Sequence, residues 1–351
     1  MPAAIIFGLT VTFIITPFVR RLSFAAGVVD IPRDGRRMHK SAVPLAGGAG
    51  MIAAFLFSLA VFGGQGAARP FPLAVFCFLC GVYGLLDDKY ALPAFAKLAL
   101  QLSLGLCASL VLGRAEVFSA FGYTCAFGTF SVPATALWVA FMMNAVNLTD
   151  GMDGLCAGTS AVSAACLSIL LFLRGHSAYA LLAAALAGAC LGVLFHNRAP
   201  AKIFMGETGS AFLGFALAVL SLPLFSAESC VPLPAVLPAF LLPLCEAAGS
   251  FMRRAERGKN PFAPDKEHMH HVLFARFGSA PAVCAVMYAL ALVGAIAALI
   301  YERAPAVALL LLAAATVCMR LMLSRTSTLS LRRRREPRAE CRGRQGQRRA
   351  R

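Results

Sequence analysis

Charged side chains are scarce in this sequence. They make up 14% of its 351 residues, whereas a soluble domain carries about 25%. This shortage excludes an ordinary soluble protein. The 12 cysteines lack metal-type spacing and a disulfide framework, and the CxxC at Cys77 and Cys80 is predicted to pack inside a helix. The GxxxxGK spacing of a P-loop is also missing, which excludes that class of phosphate site.

Long apolar runs take the place of the missing charges. Several reach or approach the roughly 18–20 residues that cross a bilayer as a helix, and they lack the alternation of a membrane β-barrel. With segments at about 3–19 and 132–147, they predict about eleven transmembrane helices in an all-α polytopic membrane protein. Residues 1–323 form the predicted membrane domain, and 324–351 a basic, disordered tail that contacts anionic membrane lipids. The charge-free runs are 41–68, 70–86, 98–113, 154–173, 177–195, 208–227, 229–245, 280–301 and 304–319.

Lysine and arginine are distributed unevenly between the loops. Most of the 32 fall in the tail or in loops after odd-numbered predicted helices, so these parts are predicted to be cytoplasmic and the N-terminus outside. The opening "MPAAIIFGLT" has no basic residue before its apolar run, which favours an uncleaved first helix over a signal peptide. The net charge of +16 follows from this bias and the tail, so it does not indicate a nucleic-acid partner.

The acids concentrate on the same predicted side. Asp87, Asp88, Asp150, Asp153 and Glu207 lie at predicted cytoplasmic helix ends. A transporter would place ionisable groups along a path near the midplane. The distribution therefore favours chemistry at the membrane surface, with active-site loops in the cytoplasm.

Two acids end the predicted third helix in "GLLDDKY". Asp87 and Asp88 oppose the helix dipole there and repel each other, so we interpret them as binding a cation or handling a proton. Two exposed loop acids are the alternative. Lys97 and Gln101 lie one turn apart on the next helix, and Lys97 either reaches a phosphate or serves as an orientation charge.

A second motif, "NAVNLTDGMDGL", carries a polar residue at every third position: Asn144, Asn147, Asp150 and Asp153. Amides can read a base or sugar, and carboxylates can bind a hard cation. These groups converge only if the segment unwinds near its glycines. An ordinary polar turn with capping aspartates is the alternative.

Two further loops contain groups suited to phosphate. In "AKIFMGETGSAFLG", Lys202 precedes a turn that opens a helix, whose free N–H groups suit an anion; Thr208 as an N-cap is the alternative. In the first loop, His39 and Lys40 precede a proline and a glycine pair that would let the backbone approach a phosphate. An ordinary positively charged loop explains that segment equally well.

Three histidines stand in "APDKEHMHH". His268, His270 and His271 lack the i, i+4 spacing of a zinc helix, and no cysteine is near them. We interpret them as a clamp for a diphosphate, with a solvated polar loop as the alternative. Glu246 is a further candidate because it is an acid in a strongly apolar segment.

Together these motifs resemble the polyprenyl-phosphate N-acetylhexosamine-1-phosphate transferase superfamily, over residues 28–278 and in the same order. The histidine motif is similar to the bacterial branch that makes lipid-linked N-acetylglucosamine for O-antigen, enterobacterial common antigen or teichoic acid. The resemblance implies eleven helices in the bacterial cytoplasmic membrane, Mg²⁺ (with Mn²⁺ as an alternative), a UDP-N-acetylhexosamine and undecaprenyl phosphate. A homodimer is left open.

The resemblance also implies roles for the motif residues. Asp87 and Asp88 would serve the metal and the lipid phosphate, one of them as base. Members of the superfamily usually have aspartate where this chain has Glu207 and Glu246, so its carboxylates reach one methylene further. Glu207 is the feature that favours a catalytically weakened scaffold as an alternative function. A lipid-linked sugar transporter, which would need acids along a path through the membrane, is the other alternative. The predicted site is catalytic Asp87, Asp88, Asp150 and Asp153; substrate-binding His39, Lys40, Lys97, Asn144, Asn147, Lys202, His268, His270 and His271; and metal-binding Asp88, Asp153 and Glu207.

Overall fold

The chain folds as a helical bundle. The computed structural model describes residues 1–31, 42–64, 69–256, 258 and 268–335, with side chains in the last helix described up to residue 323. The predicted all-α polytopic membrane architecture is confirmed. The helices are α1 (Pro2–Ala25), α2 (Gly47–Phe62), α3 (Pro70–Tyr90), α4 (Ala94–Val111), α5 (Ser131–Asn147), α6 (Leu155–Leu173), α7 (Ser177–Asn197), α8 (Gly206–Ser221), α9 (Leu233–Val236), α10 (Leu241–Glu256), α11 (Met269–Phe277), α12 (Ala280–Ile300) and α13 (Pro305–Arg335).

Ten helical segments in the described part of the chain are long and apolar enough to span a membrane. The predicted second span is a shorter helix, α2. The predicted span at 229–245 is displaced and interrupted: α9 and α10 are joined by a 3₁₀ turn at Leu237–Phe240, in a segment where proline removes backbone donors. The last helix, α13, continues to Arg335, past the predicted domain boundary at residue 323.

Two short antiparallel hairpins were not predicted. One pairs β1 (Val29–Asp30) with β2 (Val43–Pro44), and the other pairs β3 (Val117–Ala120) with β4 (Tyr123–Ala126). The second hairpin connects α4 to α5, so it lies at the end of these helices opposite to Asp87 and Asn147.

Helix α8 is the centre of the bundle. It packs against α2, α3 and α5, and of its residues Glu207 is the one that is not buried. Glycines allow this close approach: a Cβ at Gly84 of α3 would collide with the backbone of Thr208. The first turn of α8 is thereby held directly against the last turns of α3.

Apolar surface lies on the outside of the bundle as well as inside it. Helices α1, α4 and α13 have few buried residues within their apolar spans, and Phe95, Leu110 and Leu310 are exposed. Such surface is stable in contact with lipid. The direction in which the bundle crosses the membrane stays a prediction from the Lys and Arg distribution.

Candidate active site

Asp87 is buried at the end of α3 and has two partners. The helix ends where Ala91 adopts a left-handed conformation (φ 51°), and the N–H of Leu92 donates to Asp87 Oδ1 at 2.7 Å. Lys97 Nζ lies 2.5 Å from Asp87 Oδ2. The carboxylate, 6% exposed, is therefore compensated by a cation and a backbone donor.

Asp88 caps the N-terminus of α8 from a different helix. Its Oδ1 accepts from Glu207 N–H at 2.8 Å, and its Oδ2 accepts from Thr208 N–H at 3.1 Å and Thr208 Oγ1 at 2.7 Å. The positive end of the α8 dipole favours this carboxylate. The alternative of Thr208 as N-cap is wrong, because the cap position is Met205 and no side chain of the segment caps it. The N–H groups of Glu207 and Thr208, which we expected to suit an anion, are occupied by Asp88.

Gly206 leaves room for the Asp88 carboxylate to approach the first turn of α8. Its φ is +70°, and a Cβ at this position would press on Asp88 and on the carbonyl of Leu45. Glycine is the residue that adopts such a conformation without strain.

Lys97 connects Asp87 to Glu207 across two helices. Its Nζ lies 3.2 Å from Glu207 Oε1. Asn147 Nδ2 donates to Glu207 Oε2 and, at 3.0 Å, to Ser210 Oγ. The two carboxylates thus share one ammonium group, and Glu207 is held on both oxygens.

Asn144 belongs to a neighbouring chain of amides. Its Nδ2 donates to Gln101 Oε1 and to the carbonyl of Ala140, and Gln101 Nε2 donates to Tyr83 Oη at 3.2 Å. This chain joins α3, α4 and α5 behind Lys97.

The segment after α5 unwinds, as the spacing of its polar residues requires. Helix α5 ends at Asn147 and α6 begins at Leu155. Asp153 Oδ2 accepts from the N–H of Ala201 at 2.9 Å. Burial raises the pKa of Asp150 well above its usual range, and the negative charges of Asp88, Glu207 and Asp153 raise it further.

Several of these side chains line one cavity of about 710 Å³, a size typical of small-molecule sites. Asp87, Lys97 and Asn144 are not part of its lining. Acids from four separate parts of the chain line it, Asp30 among them, beside two amides and an imidazole. We call it the carboxylate cavity; its polar lining includes Asp88, Asn147, Asp150, Asp153, Glu207 and His271.

The three histidines divide into two roles. His268 Nδ1 and His270 Nδ1 each lie 3.4 Å from an oxygen of Glu246, which is fully buried. The ring of His270 also packs against the backbone of Gly151. His271 reaches the carboxylate cavity, and burial together with the neighbouring His270 and His268 lowers its pKa.

Other predicted residues lie elsewhere. Lys202 is exposed and lines an adjacent cavity. His39 and Lys40 lie outside the described residues. Two residues that sequence reasoning missed hold the Asp150–Asp153 turn: Asn197 Oδ1 accepts from Gly154 N–H at 2.9 Å, and Tyr288 Oη donates to the Gly154 carbonyl at 2.7 Å. In the sequence, Asn197 is a polar amide at the end of a long apolar run, and this was an available signal. No pattern in the sequence singled out Tyr288.

The donor chemistry of the carboxylate cavity fits a hard divalent cation. Carboxylate oxygens are the ligands that Mg²⁺ prefers, and the mutual repulsion felt by Asp150 would be relieved by positive charge. Within the described ranges, no three acidic, histidine or cysteine side chains are grouped to bind one ion. Mg²⁺ usually takes one or two carboxylates together with waters and substrate phosphates, so the residues present fit it without a closed protein cage.

The fold and the cavity define a polytopic membrane protein with an acid-lined site at the ends of its helices. Residues 71–224, from α3 to the end of α8, match the sequence profile described as "Glycosyl transferase family 4". The matched range contains Asp87, Lys97 and Glu207. It ends before the histidine motif of His268, His270 and His271.

Three relatives extend the comparison over most of the chain. The chain is 33% identical over 305 residues to the "Probable undecaprenyl-phosphate N-acetylglucosaminyl 1-phosphate transferase" of Bacillus subtilis, covering 86% of this chain and 85% of the relative. It is 29% identical over 296 residues to the "Undecaprenyl-phosphate alpha-N-acetylglucosaminyl 1-phosphate transferase" of Escherichia coli K12, covering 80% and 79%. It is 33% identical over 307 residues to the "Decaprenyl-phosphate N-acetylglucosaminephosphotransferase" of Mycobacterium tuberculosis, covering 76% and 74%. The chain belongs to glycosyl transferase family 4, in the branch that contains these relatives.

Proposed function

We propose that this protein transfers N-acetylglucosamine 1-phosphate from UDP-N-acetylglucosamine to undecaprenyl phosphate and releases UMP. The observation that carries the proposal is the carboxylate cavity, which joins Asp88, Asp150, Asp153 and Glu207 at one end of a membrane bundle. The names of the Bacillus subtilis and Escherichia coli relatives support undecaprenyl phosphate as the acceptor, and all three names support a polyprenyl phosphate acceptor and the transferred group. The product starts a lipid-linked envelope glycan in the bacterial cytoplasmic membrane.

The reaction exchanges one phosphoanhydride bond for another. An oxygen of the acceptor phosphate attacks the β-phosphorus of the donor, and the bond from that phosphorus to the bridging oxygen breaks as UMP leaves. A phosphate monoester has a second pKa of about 6, so the acceptor is mostly dianionic at neutral pH. The site must therefore chiefly neutralise negative charge and align the two phosphates.

Lys97 is the protein cation placed for charge neutralisation. It is 29% exposed and contacts Asp87 and Glu207, so an incoming phosphate competes with two carboxylates for it. Transfer of Lys97 to the phosphate would free Asp87 to accept the proton of the monoanionic fraction of the acceptor. Asp88 is the alternative base, although its two oxygens already accept three hydrogen bonds from Glu207 and Thr208.

Asp88, Asp153 and Glu207 are the proposed holders of Mg²⁺, with Asp150 beside them. When bound, the ion supplies positive charge to the phosphate oxygens. Asn147 fixes the position of Glu207 through its Oε2. A direct transfer and a two-step route through a covalent aspartyl intermediate are both compatible with this arrangement.

The histidines contribute by contact and by position. His271 lines the carboxylate cavity and is proposed to bind a donor phosphate. Glu246 holds His268 and His270, and His270 in turn supports the backbone of Gly151. Asn144, His39 and Lys40 remain proposed substrate-binding residues, whereas Lys202 lines the adjacent cavity and not the carboxylate cavity.

The test is a reconstituted assay. Purified protein in detergent is incubated with undecaprenyl phosphate and a panel of UDP-amino sugars, and UMP is followed with and without Mg²⁺. We expect UMP release that needs lipid and metal, is fastest with UDP-N-acetylglucosamine, and falls about a hundredfold or more in Asp88→Asn. Absence of release with every donor, from protein that is folded and monodisperse, would overturn the proposed reaction in favour of the scaffold or the transporter. Movement of a lipid-linked sugar across proteoliposomes would then distinguish those two.

A further inference from the structure

A second cavity lies beside the carboxylate cavity. It has a volume of about 620 Å³ and is bounded by the end of α7, the turn that follows it, and the first turns of α12. Asp153 lines both cavities, whereas the lining of the second does not include Asp88, Asp150 or Glu207. A ligand in the second cavity would therefore lie next to the reacting groups without reaching most of them.

One end of this cavity is basic. Arg198 and Lys202 line it and are exposed, and within the described residues neither side chain has an ion-pair or hydrogen-bond partner. Asp153 is the acid in the lining, and one of its oxygens already accepts from the N–H of Ala201. Arginine and lysine in this situation suit a phosphate group, which arginine binds through two parallel hydrogen bonds.

The other end is apolar and opens toward the membrane. Phe195 and Ala285 are exposed and line the cavity, and they belong to the membrane-length helices α7 and α12. Helix α7 ends at Asn197 and α12 begins at Ala280, so the basic groups stand where the spans end and lipid head groups begin. A soluble nucleotide would gain nothing from a wall that faces lipid.

We propose that this cavity binds the phosphate head of an anionic phospholipid, with its acyl chain along the apolar wall. The phosphate would contact Arg198 and Lys202. Because Asp88, Asp150 and Glu207 do not line the cavity, the bound lipid is not the reacting acceptor.

The same walls hold the Asp150–Asp153 turn. Tyr288 Oη donates to the Gly154 carbonyl at 2.7 Å, and Cys284 Sγ lies 3.4 Å from the carbonyl of Asp153. A lipid that occupies the cavity therefore stabilises the turn that carries two acids of the carboxylate cavity. Lipid binding itself does not depend on the proposed function.

The test compares two arginines at the same end of the bundle. Helices α1 and α7 run parallel, since Gly188 packs against Ile5 and His196 contacts the carbonyl of Phe13. Arg20 is therefore on the same side as Arg198 and is exposed, but it does not line the cavity. Delipidated full-length protein is titrated with phosphatidylglycerol or phosphatidylcholine, and bound lipid is counted by native mass spectrometry.

We expect tighter binding of phosphatidylglycerol than of phosphatidylcholine, and about a tenfold loss of that binding in Arg198→Gln but not in Arg20→Gln. Ala285→Phe, which fills the apolar end without changing charge, should weaken binding too and serves if Arg198→Gln does not fold. Equal binding of the two lipids, an equal loss in Arg20→Gln, or competition by millimolar inorganic phosphate as strong as that by the lipid would each overturn the proposal. UMP release is not the readout, so failure here would leave the proposed reaction standing.

Discussion

At the scale of single residues, Asp150 is the acid whose surroundings most oppose its charge. Burial and the negative charges of Asp88, Glu207 and Asp153 raise its pKa well above the ordinary value of 3.8. A carboxyl group with a raised pKa in the folded state stabilises the fold fully below its unfolded pKa. This contribution is lost as the pH rises through the folded pKa. Ionised Asp150 is therefore a cost to stability that a bound cation would offset.

Replacing Asp150 by asparagine should remove that cost. We expect Asp150→Asn to unfold at a higher temperature than the natural protein at pH 8 without Mg²⁺, by the equivalent of about 1 kcal/mol, with a smaller gain at pH 6. We also expect the variant to lose most of the stabilisation that Mg²⁺ gives the natural protein. Thermal unfolding in detergent measures both effects.

Asp153→Asn is the matched control. The Asp153 carboxylate accepts a hydrogen bond from the N–H of Ala201, so its replacement should not raise the unfolding temperature. A lower unfolding temperature for Asp150→Asn at pH 8 would contradict the charge repulsion inferred for the cavity.

Replacing Glu207 by aspartate tests whether the longer carboxylate lowers the catalytic rate or whether the site is adapted to it. Both of its oxygens have protein partners, Lys97 and Asn147, so the surrounding side chains are arranged for a glutamate. We expect Glu207→Asp to change kcat in Mg²⁺ by less than about tenfold, which corresponds to 1.4 kcal/mol of barrier. A gain much larger than tenfold would mean that the natural chain is a weakened homologue, and the scaffold function would then be preferred.

At the scale of elements, the sequence predicts the helices but not their contacts. Charge-free runs are sufficient to locate most spans because lipid requires long apolar helices. The span predicted at 229–245 lies at Leu233–Glu256 in the structure, because a run without charges reveals neither its end nor the 3₁₀ turn within it. The contact of Asp88 with the first turn of α8 could not be predicted either, because no local sequence pattern indicates which two helix ends pack together.

Gly84 is a direct test of that contact between α3 and α8. A Cβ at this position would collide with the backbone of Thr208, and Asp88 lies one turn further along the same helix. We expect Gly84→Ala to push α8 away from Asp88, lowering the free energy of unfolding by about 1–3 kcal/mol and reducing UMP release. Thermal unfolding and the transfer assay measure the two effects.

Gly64→Ala is the matched control for this prediction. Among the residues that the structure describes, no atom lies within 4 Å of a Cβ placed at Gly64, so the same change should leave unfolding and activity nearly unaltered. If both variants behave alike, the close approach of α3 and α8 does not hold Asp88 in place.

At the scale of the whole molecule, the two ends of the helical bundle differ in the residues that they carry. The predicted catalytic acids lie together at one end, as their shared position at helix ends predicted. The β3–β4 hairpin is at the opposite end, because α4 leads away from Lys97 and α5 returns to Asn147. Lys and Arg counts predict that the acids face the cytoplasm and the hairpin faces outside. The donor nucleotide proposed above is cytoplasmic, so the function requires the same orientation.

Cys125 reports this orientation directly. It is a free, exposed cysteine in the hairpin. Cys230 lies outside the spans, 4.0 Å from Thr124 of the same hairpin, and Cys341 is in the basic tail, so both are replaced by serine in every variant tested. Cysteines within the spans face lipid or the core, where the thiolate is disfavoured and the thiol reacts poorly. We expect a membrane-impermeant maleimide to label Cys125 in cells whose inner membrane is intact, and Cys125→Ser to abolish that label. Lys89→Cys in the Cys125→Ser background places a thiol beside the acids and should be labelled after permeabilisation only. Labelling of that thiol in intact cells would place the carboxylate cavity outside, away from any supply of UDP-sugar, and the proposed reaction would have to be abandoned along with the orientation.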